Sequence, residues 1–197
     1  MRPFFIGCVF TTFISFHWLP SISAAELVDQ IRGAVDRAMR ILNDPNLMSK
    51  DKKKERVNRL REIVDSLFDF EEMAKRALGS HWRSRTPAEQ REFVTLFRRF
   101  LEKIYADKSD LYEGEKITVG RQTVDKDYAE VDSKIINKQG EKSSVLYRLR
   151  QTDGKWKVYD VVVEGVSIVN NYRSQFHRII TQSSYEELIK RIKEKAG

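Results

Sequence analysis

Cysteine is almost absent from this sequence of 197 residues, because the single Cys8 lies within the first ten positions. One thiol cannot form a disulfide within the chain, and the long segment after Cys8 has no thiol chemistry. Cysteine clusters that bind zinc or iron are excluded for the same reason. Stability must therefore come from a hydrophobic core, and a chain of this length can bury a sizeable one in a single domain.

Motifs that carry catalysis are also missing. The sequence has no Gly-x-Gly-x-x-Gly fingerprint, no phosphate loop and no serine in a Gly-x-Ser-x-Gly context. Beyond residue 25 the histidines are His81 and His177, which lie far apart and form no His-x-x-x-His metal motif. We therefore predict no catalytic residue, no metal and no cofactor. His81 is interpreted as a surface or capping histidine.

Asp160 is the one candidate acid, and it lies between Tyr159 and Val161 in an apolar segment. A buried carboxylate at that place could serve as a general base. The alternative is a structural carboxylate, bonded to backbone N–H groups or to an arginine near the end of a strand. We favour the structural role, because no second acid–base group lies beside Asp160 in the sequence.

Charge is scarce at the N-terminus, where Arg2 is the only charged residue before Glu26. The run from Phe4 to Trp18 is apolar over the length of a signal-peptide core, and it is too short for a membrane span. Small residues at Ser23–Ala25 suit a signal peptidase. We predict a signal peptide at 1–25, removed after Ala25, and an exported single domain at 26–197. A retained membrane anchor and a lipoprotein site at Cys8 are the alternatives.

The chain is basic, with a formal net charge of +7, which falls to +6 when Arg2 leaves with the signal peptide. Seven lysines and arginines between Lys50 and Arg61 lie in the first turns of a predicted helix. Such a cluster could meet anionic head groups or an acidic partner. More often it forms a solvated helix face, and nothing in the pattern indicates nucleic acid.

The first half of the chain is predicted to be helical and the second half to consist of strands. Asp69 and Thr86 each carry the N-cap pattern of a helix, and Thr86 is followed by Pro87 and Glu89. The strands alternate with turn signals, of which Asp153-Gly154 suits a two-residue hairpin. This pattern predicts one α+β domain with an antiparallel meander that has one covered face. The predicted strands are Lys116–Val124, Tyr128–Ile136, Ser144–Gln151 and Trp156–Val163.

The segment from Trp156 to Phe176 is the most informative part of the sequence. It reads as a strand that breaks at Gly165 and then continues into a helix, with one apolar residue after another and no nucleophile–base pair. A strand buried on both faces that turns into a helix suits a wall around an apolar ligand. Together with the export signal, the segment favours an exported carrier over an enzyme.

Two separated motifs stand out in this sequence. The first runs from Phe68 to Gly79 and continues through Trp82 to Thr86–Phe93. The second comprises Trp156–Asp160, Glu164–Ser167 and Asn171–Phe176. Together they resemble the motifs of the toluene-tolerance (MlaC) family, whose members are periplasmic phospholipid-binding proteins, and the resemblance implies a location in the periplasm. The likeness covers the chain from about Leu27 to Lys193.

This resemblance implies a highly curved antiparallel sheet of about four strands, similar to the nuclear-transport-factor cone, wrapped by helices around an apolar pocket. It also implies an auxiliary component that carries phospholipid between an outer-membrane lipoprotein complex and an inner-membrane ABC transporter with a lipid-binding ring protein, and so maintains outer-membrane lipid asymmetry. Hopanoid or another lipid is the alternative cargo. Other readings are an enzyme that uses Asp160 as a base and a non-enzymatic periplasmic adaptor with a filled core.

The expected lipid-binding residues are the apolar side chains that these motifs and the covered sheet face supply. Among the arginines and lysines at the mouth of such a pocket, Arg173 is the expected head-group contact. The aromatic stripe among the apolar side chains is read either as core or as one wall of a cavity, since spacing alone does not separate the two. The set comprises Phe70, Met73, Leu78, Trp82, Phe93, Phe97, Phe100, Val145, Tyr147, Leu149, Val158, Val166, Ile168, Tyr172 and Phe176.

Overall fold

The structure is a computed structural model that describes residues 24–108 and 112–196, with the backbone alone for 24–26 and 105–108. Residues 1–23 lie outside this part of the chain, so the signal peptide at 1–25 and its cleavage stay predictions. Among the helices that are described, none is long and apolar enough to cross a bilayer.

Helices and strands follow the predicted order, with helices first, then the sheet, then two further helices. Three short 3-10 helices connect the early elements, and the third of these, Gly79–Ser84, is called the connecting turn below. In the described ranges the α-helices are α1 Ala24–Leu42, α2 Lys53–Leu67, α3 Phe70–Leu78, α4 Pro87–Lys108, α5 Ile168–Gln182 and α6 Tyr185–Ala196.

Local side-chain bonds fix the start of α4 as the sequence predicts. The Thr86 backbone N–H donates to the Glu89 carboxylate over 2.7 Å, and the Glu89 N–H donates to Thr86 Oγ1 over 3.3 Å. This reciprocal pair is a capping box, and Pro87 occupies the first helical position, where its missing N–H costs nothing. The start of α4 is therefore confirmed.

The cap of α3 forms only in part. The Asp69 carboxylate accepts from the Glu72 N–H over 2.9 Å, as an N-cap residue does. The Glu72 side chain instead lies 2.8 Å from Arg76 Nε and 3.5 Å from Arg150 Nη1. Glu72 thus ties α3 to the sheet rather than completing a capping box.

The sheet is an antiparallel meander in the order β1-β2-β3-β4-β5, which confirms the α+β fold class. The fifth strand arises because Glu164 and Gly165, with φ of +48° and +77°, form a tight turn that lets two residues pair back onto β4. The sequence indicated only a break at Gly165. The strands are β1 Lys116–Asp125, β2 Tyr128–Ile136, β3 Lys142–Thr152, β4 Lys155–Val163 and β5 Val166–Ser167.

A bulge in β4 exchanges the two faces of that strand. Leu149 pairs with Val158, whereas the adjacent Arg148 pairs with Asp160, so Tyr159 is the extra residue. Val158 therefore points to one face of the sheet and Asp160 to the other, and both side chains are buried. Both faces of β4 therefore carry a buried side chain, but its last residue, Val163, is 38% exposed, so the end of the strand is not buried on both faces. A bulge of this kind also bends the sheet.

Two clusters of buried apolar side chains lie on either side of β4. The helical cluster joins α3, α4, α5 and α6, and its buried members are Met73, Ala74, Ala77, Leu78, Phe93, Leu96, Phe97, Phe100, Leu101, Val169, Phe176, Tyr185, Leu188, Ile189 and Ile192. The sheet cluster lies between α1, α2 and the sheet, and its buried members are Leu27, Ile31, Ala34, Leu67, Ala129, Val131, Leu149, Trp156 and Val158.

Candidate lipid-binding site

Aromatic rings from two helices fill the centre of the helical cluster. Phe93, Phe97 and Phe100 extend from α4 at helical spacing, and Tyr172 and Phe176 extend from α5. Ring centroids of Phe97 lie 5.7 Å from those of both Tyr172 and Phe176 at nearly perpendicular angles, and Phe100 lies 5.2 Å from Tyr172. These are favourable edge-to-face contacts. These five rings fill the contact between α4 and α5 and are called the aromatic wall below.

Most of the expected lipid-binding residues meet in the helical cluster. Six of them are buried there, and Phe70, Trp82, Ile168 and Tyr172 pack against it while partly exposed. The buried six are Met73, Leu78, Phe93, Phe97, Phe100 and Phe176.

The remaining expected residues lie elsewhere. Leu149 and Val158 are buried in the sheet cluster, and Tyr147 packs against it. Val145 is buried but belongs to neither cluster. Val166 differs from the expectation of an inward wall, because it is 59% exposed on the short edge strand β5. Contact of any of these residues with lipid stays a prediction.

The junction between the two clusters is Phe68, which the sequence analysis did not include in the site. Phe68 packs against both clusters and forms a parallel bridge with Val158, while the Asp69 N–H donates to the Val158 carbonyl over 2.8 Å. The Phe68 ring also stacks on Phe70 with centroids 6.1 Å apart. Phe68 therefore lies between the two groups of expected residues. The only sequence signal was the position of Phe68 at the start of the first motif.

The tyrosines of the site stay neutral at physiological pH. Burial raises the pKa of Tyr172 above its ordinary value. Burial likewise raises the pKa of Tyr147, with Ser133 acting in the opposite direction. Both phenols therefore present a neutral, largely apolar surface to the interior.

Asp160 has the structural role that the sequence analysis favoured. Its carboxylate accepts from the Val169 N–H over 3.1 Å and from the Ser167 hydroxyl over 2.6 Å, and Arg148 Nη1 lies 3.4 Å away. Ser167 in turn caps α5 by accepting from the Asn170 N–H. The carboxylate therefore fixes the start of α5 on β4, and with it the direction of the aromatic side chains of α5.

Arg173 lies on the exposed surface of α5 and crosses the C-terminal end of α3. Gly79 ends that helix with φ of +59° and ψ of −128°, a conformation that glycine alone adopts readily. A Cβ built at Gly79 would lie 2.8 Å from Arg173 Nε. The arginine thus packs closely over the backbone at the seam between the connecting turn and α5.

Replacing Gly79 with alanine is expected to lower the free energy of unfolding by about 1–3 kcal/mol, because the backbone is strained and the Arg173 side chain must move. Urea unfolding measures the loss. Gly140 offers a matched control, since its φ is +83° and nothing lies within 4 Å of an added Cβ. A loss at Gly79 no larger than that at Gly140 would contradict the close packing of Arg173.

The basic cluster on α2 is partly neutralised by acids of the same surface. Lys52 and Arg59 both pair with Glu55, at 3.1 and 2.5 Å. Arg61 lies 3.2 Å from Glu102, and the buried Arg56 donates to the Leu47 carbonyl over 2.7 Å. The surface is therefore less basic than the sequence suggests, and its use for docking stays a prediction.

Helices packed over a bent antiparallel sheet, with aromatic rings between them, define an α+β protein with an interior rich in apolar side chains. In the described ranges no three His, Cys, Asp or Glu side chains are grouped so as to hold a metal ion. The model of the MlaC protein family matches residues 32–194, and the chain belongs to this family.

Two characterised relatives carry names that agree with this family. The intermembrane phospholipid transport system binding protein MlaC of Haemophilus influenzae is 30% identical over 159 residues, which is 76% of this chain and 74% of the relative. The toluene tolerance protein ttg2D of Pseudomonas putida is 29% identical over 119 residues. That match covers 59% of this chain and about half, 55%, of the relative.

A solved structure shares the fold. The phospholipid-binding protein from Ralstonia solanacearum, determined in complex with a phospholipid, has a TM-score of 0.73 to this chain. The superposition covers 85% of this chain and 95% of that protein, at 24% sequence identity. The arrangement of helices around the sheet is therefore common to both proteins.

Proposed function

We propose that this protein is a periplasmic phospholipid carrier that holds acyl chains in its apolar interior and leaves the head group at the surface. Membership of the MlaC family over residues 32–194 is the observation that carries the proposal. The aromatic wall between α4 and α5 supports it, because it supplies the apolar surface that such a cargo needs. The protein is proposed to bind and transfer lipid, not to act as an enzyme.

The free energy of burying acyl chains determines how much apolar surface the interior must supply. Burying acyl chains stabilises by about 0.8 kcal/mol per CH₂ group, so two chains of ordinary length represent on the order of 20 kcal/mol. A carrier needs an apolar site nearly as favourable as the bilayer and few directed polar contacts. An interior rich in phenylalanine and tyrosine meets this requirement without a constellation of catalytic groups.

The acyl chains are proposed to enter between the two clusters, beside Phe68. The side chains that are only partly buried against the helical cluster border this path, among them Phe70, Trp82 and Ile168. The aromatic rings pack against one another in this structure, so they have to move apart when lipid enters. The cargo contacts therefore replace ring–ring contacts of similar apolar character. Arg173, exposed on α5, is the proposed contact of the anionic head group.

The proposed partners are an outer-membrane lipoprotein complex and an inner-membrane ABC transporter with a lipid-binding ring protein. The name of the Haemophilus influenzae relative, an intermembrane phospholipid transport system binding protein, supports this placement. Transfer between the membranes would maintain the lipid asymmetry of the outer membrane. Export through the signal peptide at 1–25 would deliver the protein to the periplasm where these partners meet.

Native mass spectrometry of the protein purified from the periplasm tests the carrier function directly. We expect phospholipid at a stoichiometric level, identified after extraction. A hopanoid or another lipid would keep the mechanism and change the cargo. A protein that stays empty after incubation with liposomes would favour a periplasmic adaptor with a filled core.

Replacing Ile168 with glutamate is expected to reduce the bound lipid about tenfold or more, because a carboxylate then borders the apolar site. Asn170 is exposed in the same first turn of α5, so Asn170→Glu is the matched control. An acid near a helix N-terminus is favourable in both variants, so the interaction with the helix dipole is the same in the two proteins. Unfolding of each variant measures the packing that is lost with the Ile168 side chain. Lipid per protein is measured by native mass spectrometry, and equal loading of the two variants would contradict this path for the acyl chains.

A further inference from the structure

The two histidines that are far apart in the sequence form a pair in the structure. His81 in the connecting turn places Nε2 2.9 Å from Nδ1 of His177 on α5. The ring centroids lie 5.2 Å apart. This separation equals the nitrogen–nitrogen distance plus about one ring radius for each of the two imidazoles. The two nitrogens therefore point at one another along the line between the rings.

This head-on geometry is that of a hydrogen bond between two imidazoles. Two ligands of one metal ion direct their lone pairs at a common third point, whereas these two nitrogens face each other. A neutral imidazole has one N–H donor and one acceptor nitrogen, and a protonated imidazole has two donors. The contact therefore requires one facing nitrogen without a proton. When both rings are protonated, two N–H donors and two positive charges face each other.

The surroundings of the pair are mostly cationic. Arg83 lies in the same connecting turn, Arg173 and Arg178 flank His177 on α5, and Arg85 precedes α4. Among the acids of the packed elements, Glu72 on α3 pairs with Arg76 and Arg150, Glu89 pairs with Arg85 and Thr86, and Glu186 at the start of α6 interacts with Arg85. Glu71, also on α3, is exposed to solvent. The neighbouring arginines therefore oppose a second proton on the pair.

We propose that His81 and His177 form a pH-sensitive latch that holds the connecting turn against α5 and releases it when both rings are protonated. The turn and α5 are also joined where Arg173 crosses Gly79. Behind this seam lie Trp82 and Phe176, which belong to or pack against the helical cluster. Release of the latch therefore loosens the wall of the candidate lipid site at one edge.

The histidine pair determines in which direction pH changes the stability of the closed latch. Burial lowers the pKa of His81 below its ordinary value, and the nearby His177 and Arg85 lower it further. The unfolded or released turn then binds a proton more readily than the closed one. The closed latch is favoured above the ordinary histidine pKa of about 6.5 and weakens as the pH falls through and below that value.

Hydrogen exchange measured by mass spectrometry tests the latch at about pH 7.5 and about pH 5.5, on either side of the ordinary histidine pKa. Labelling times are scaled for the pH dependence of intrinsic exchange, and EDTA is present so that a metal cannot bridge the rings. We expect the peptides that cover 79–84 and 168–182 to lose protection at the lower pH, because the released turn binds a proton more readily than the closed one. Peptides of β2, which has no histidine, serve as the internal control.

The variant His177→Gln keeps a hydrogen-bonding side chain on α5 but removes one titrating ring. Its carbonyl accepts from His81 in either protonation state, so we expect the seam to be equally protected at both pH values. A wild-type response that persists unchanged in this variant would overturn the proposal, and so would equal protection of the wild type at both pH values. His81→Gln removes the other ring of the pair, from a half-buried position, and gives an independent second test.

The latch and the carrier function can fail separately. Lipid content of the same samples is measured by native mass spectrometry at both pH values. Because the consequence for lipid rests on the proposed function, we expect faster lipid loss at the lower pH from the wild type than from His177→Gln. A protein that carries no lipid would contradict the carrier function, while the exchange data would still decide whether the latch exists.

Discussion

Replacing Phe97 with alanine is expected to lower the free energy of unfolding by about 3–5 kcal/mol, the largest effect of any single change considered for the helical cluster. Phe97 is fully buried, and its ring contacts those of Phe93, Phe100, Tyr172 and Phe176 at centroid distances of 5.7 to 6.4 Å. Removing the ring leaves a cavity, and the four neighbouring rings lose their contacts with Phe97. Urea or thermal unfolding of protein stripped of lipid measures the loss.

Phe70→Ala is the matched control for this change. Phe70 is only partly buried, and it contacts Phe68 by stacking and lies below the Arg98 guanidinium, whose central carbon is 5.3 Å from the ring centroid. We expect its replacement to cost less than about 2 kcal/mol. If the two variants are destabilised equally, Phe97 is not the centre of the cluster as the ring geometry indicates.

The same Phe97 variant distinguishes a core residue from a residue that lines the lipid site. Lipid bound to the native state raises stability according to its affinity and concentration. If Phe97 contacts only protein, lipid adds the same stability to the wild type and to the variant. Under the carrier proposal, contact with an acyl chain would change that increment. Unfolding of lipid-free and lipid-loaded protein therefore decides how the aromatic stripe, which the sequence left as core or cavity wall, is used.

Periodicity and caps predicted much of the fold, because those signals are local. In β2 the alternation of Ala129, Val131 and Ser133 with Glu130 and Asp132 indicates which face is covered, and the burial along that strand follows it. The cap at Thr86 fixed the start of α4 for the same reason. The order of the strands also followed, since short turns between successive strands leave neighbouring pairing as the simplest arrangement.

Features that depend on contacts between distant segments were not predictable in this way. The bulge at Tyr159 shifts the register of β4 by one residue, and period two alone places Val158 and Asp160 on the same face. The contact between His81 and His177 joins residues 96 positions apart. The division of the expected lining into two clusters around Phe68 likewise depends on how α3 packs on β4, which no local pattern records.

Replacing Asp160 with alanine is expected to lower the free energy of unfolding by about 2–4 kcal/mol, because buried donors lose their acceptor. The Val169 N–H and the Ser167 hydroxyl both donate to this carboxylate, and Asp160 itself is 3% exposed. Arg148 keeps a second partner, since Glu130 lies 3.0 Å from its Nε, so the guanidinium stays paired with a carboxylate. The loss in the free energy of unfolding is therefore smaller than the loss expected when a buried ion is left without a partner. Chemical unfolding at neutral pH measures it.

Glu130→Ala is the matched control, because it removes the other carboxylate bound to Arg148 from an exposed position. A surface ion pair of this kind contributes about 0–1 kcal/mol, so we expect little change. Asp160→Asn completes the series, since its amide oxygen accepts one of the two hydrogen bonds while the negative charge is lost. Under the carrier proposal, this variant retains its lipid because the start of α5 is weakened but the aromatic wall is intact. Loss of a lipid-converting activity with unchanged stability would instead make Asp160 a base and the protein an enzyme.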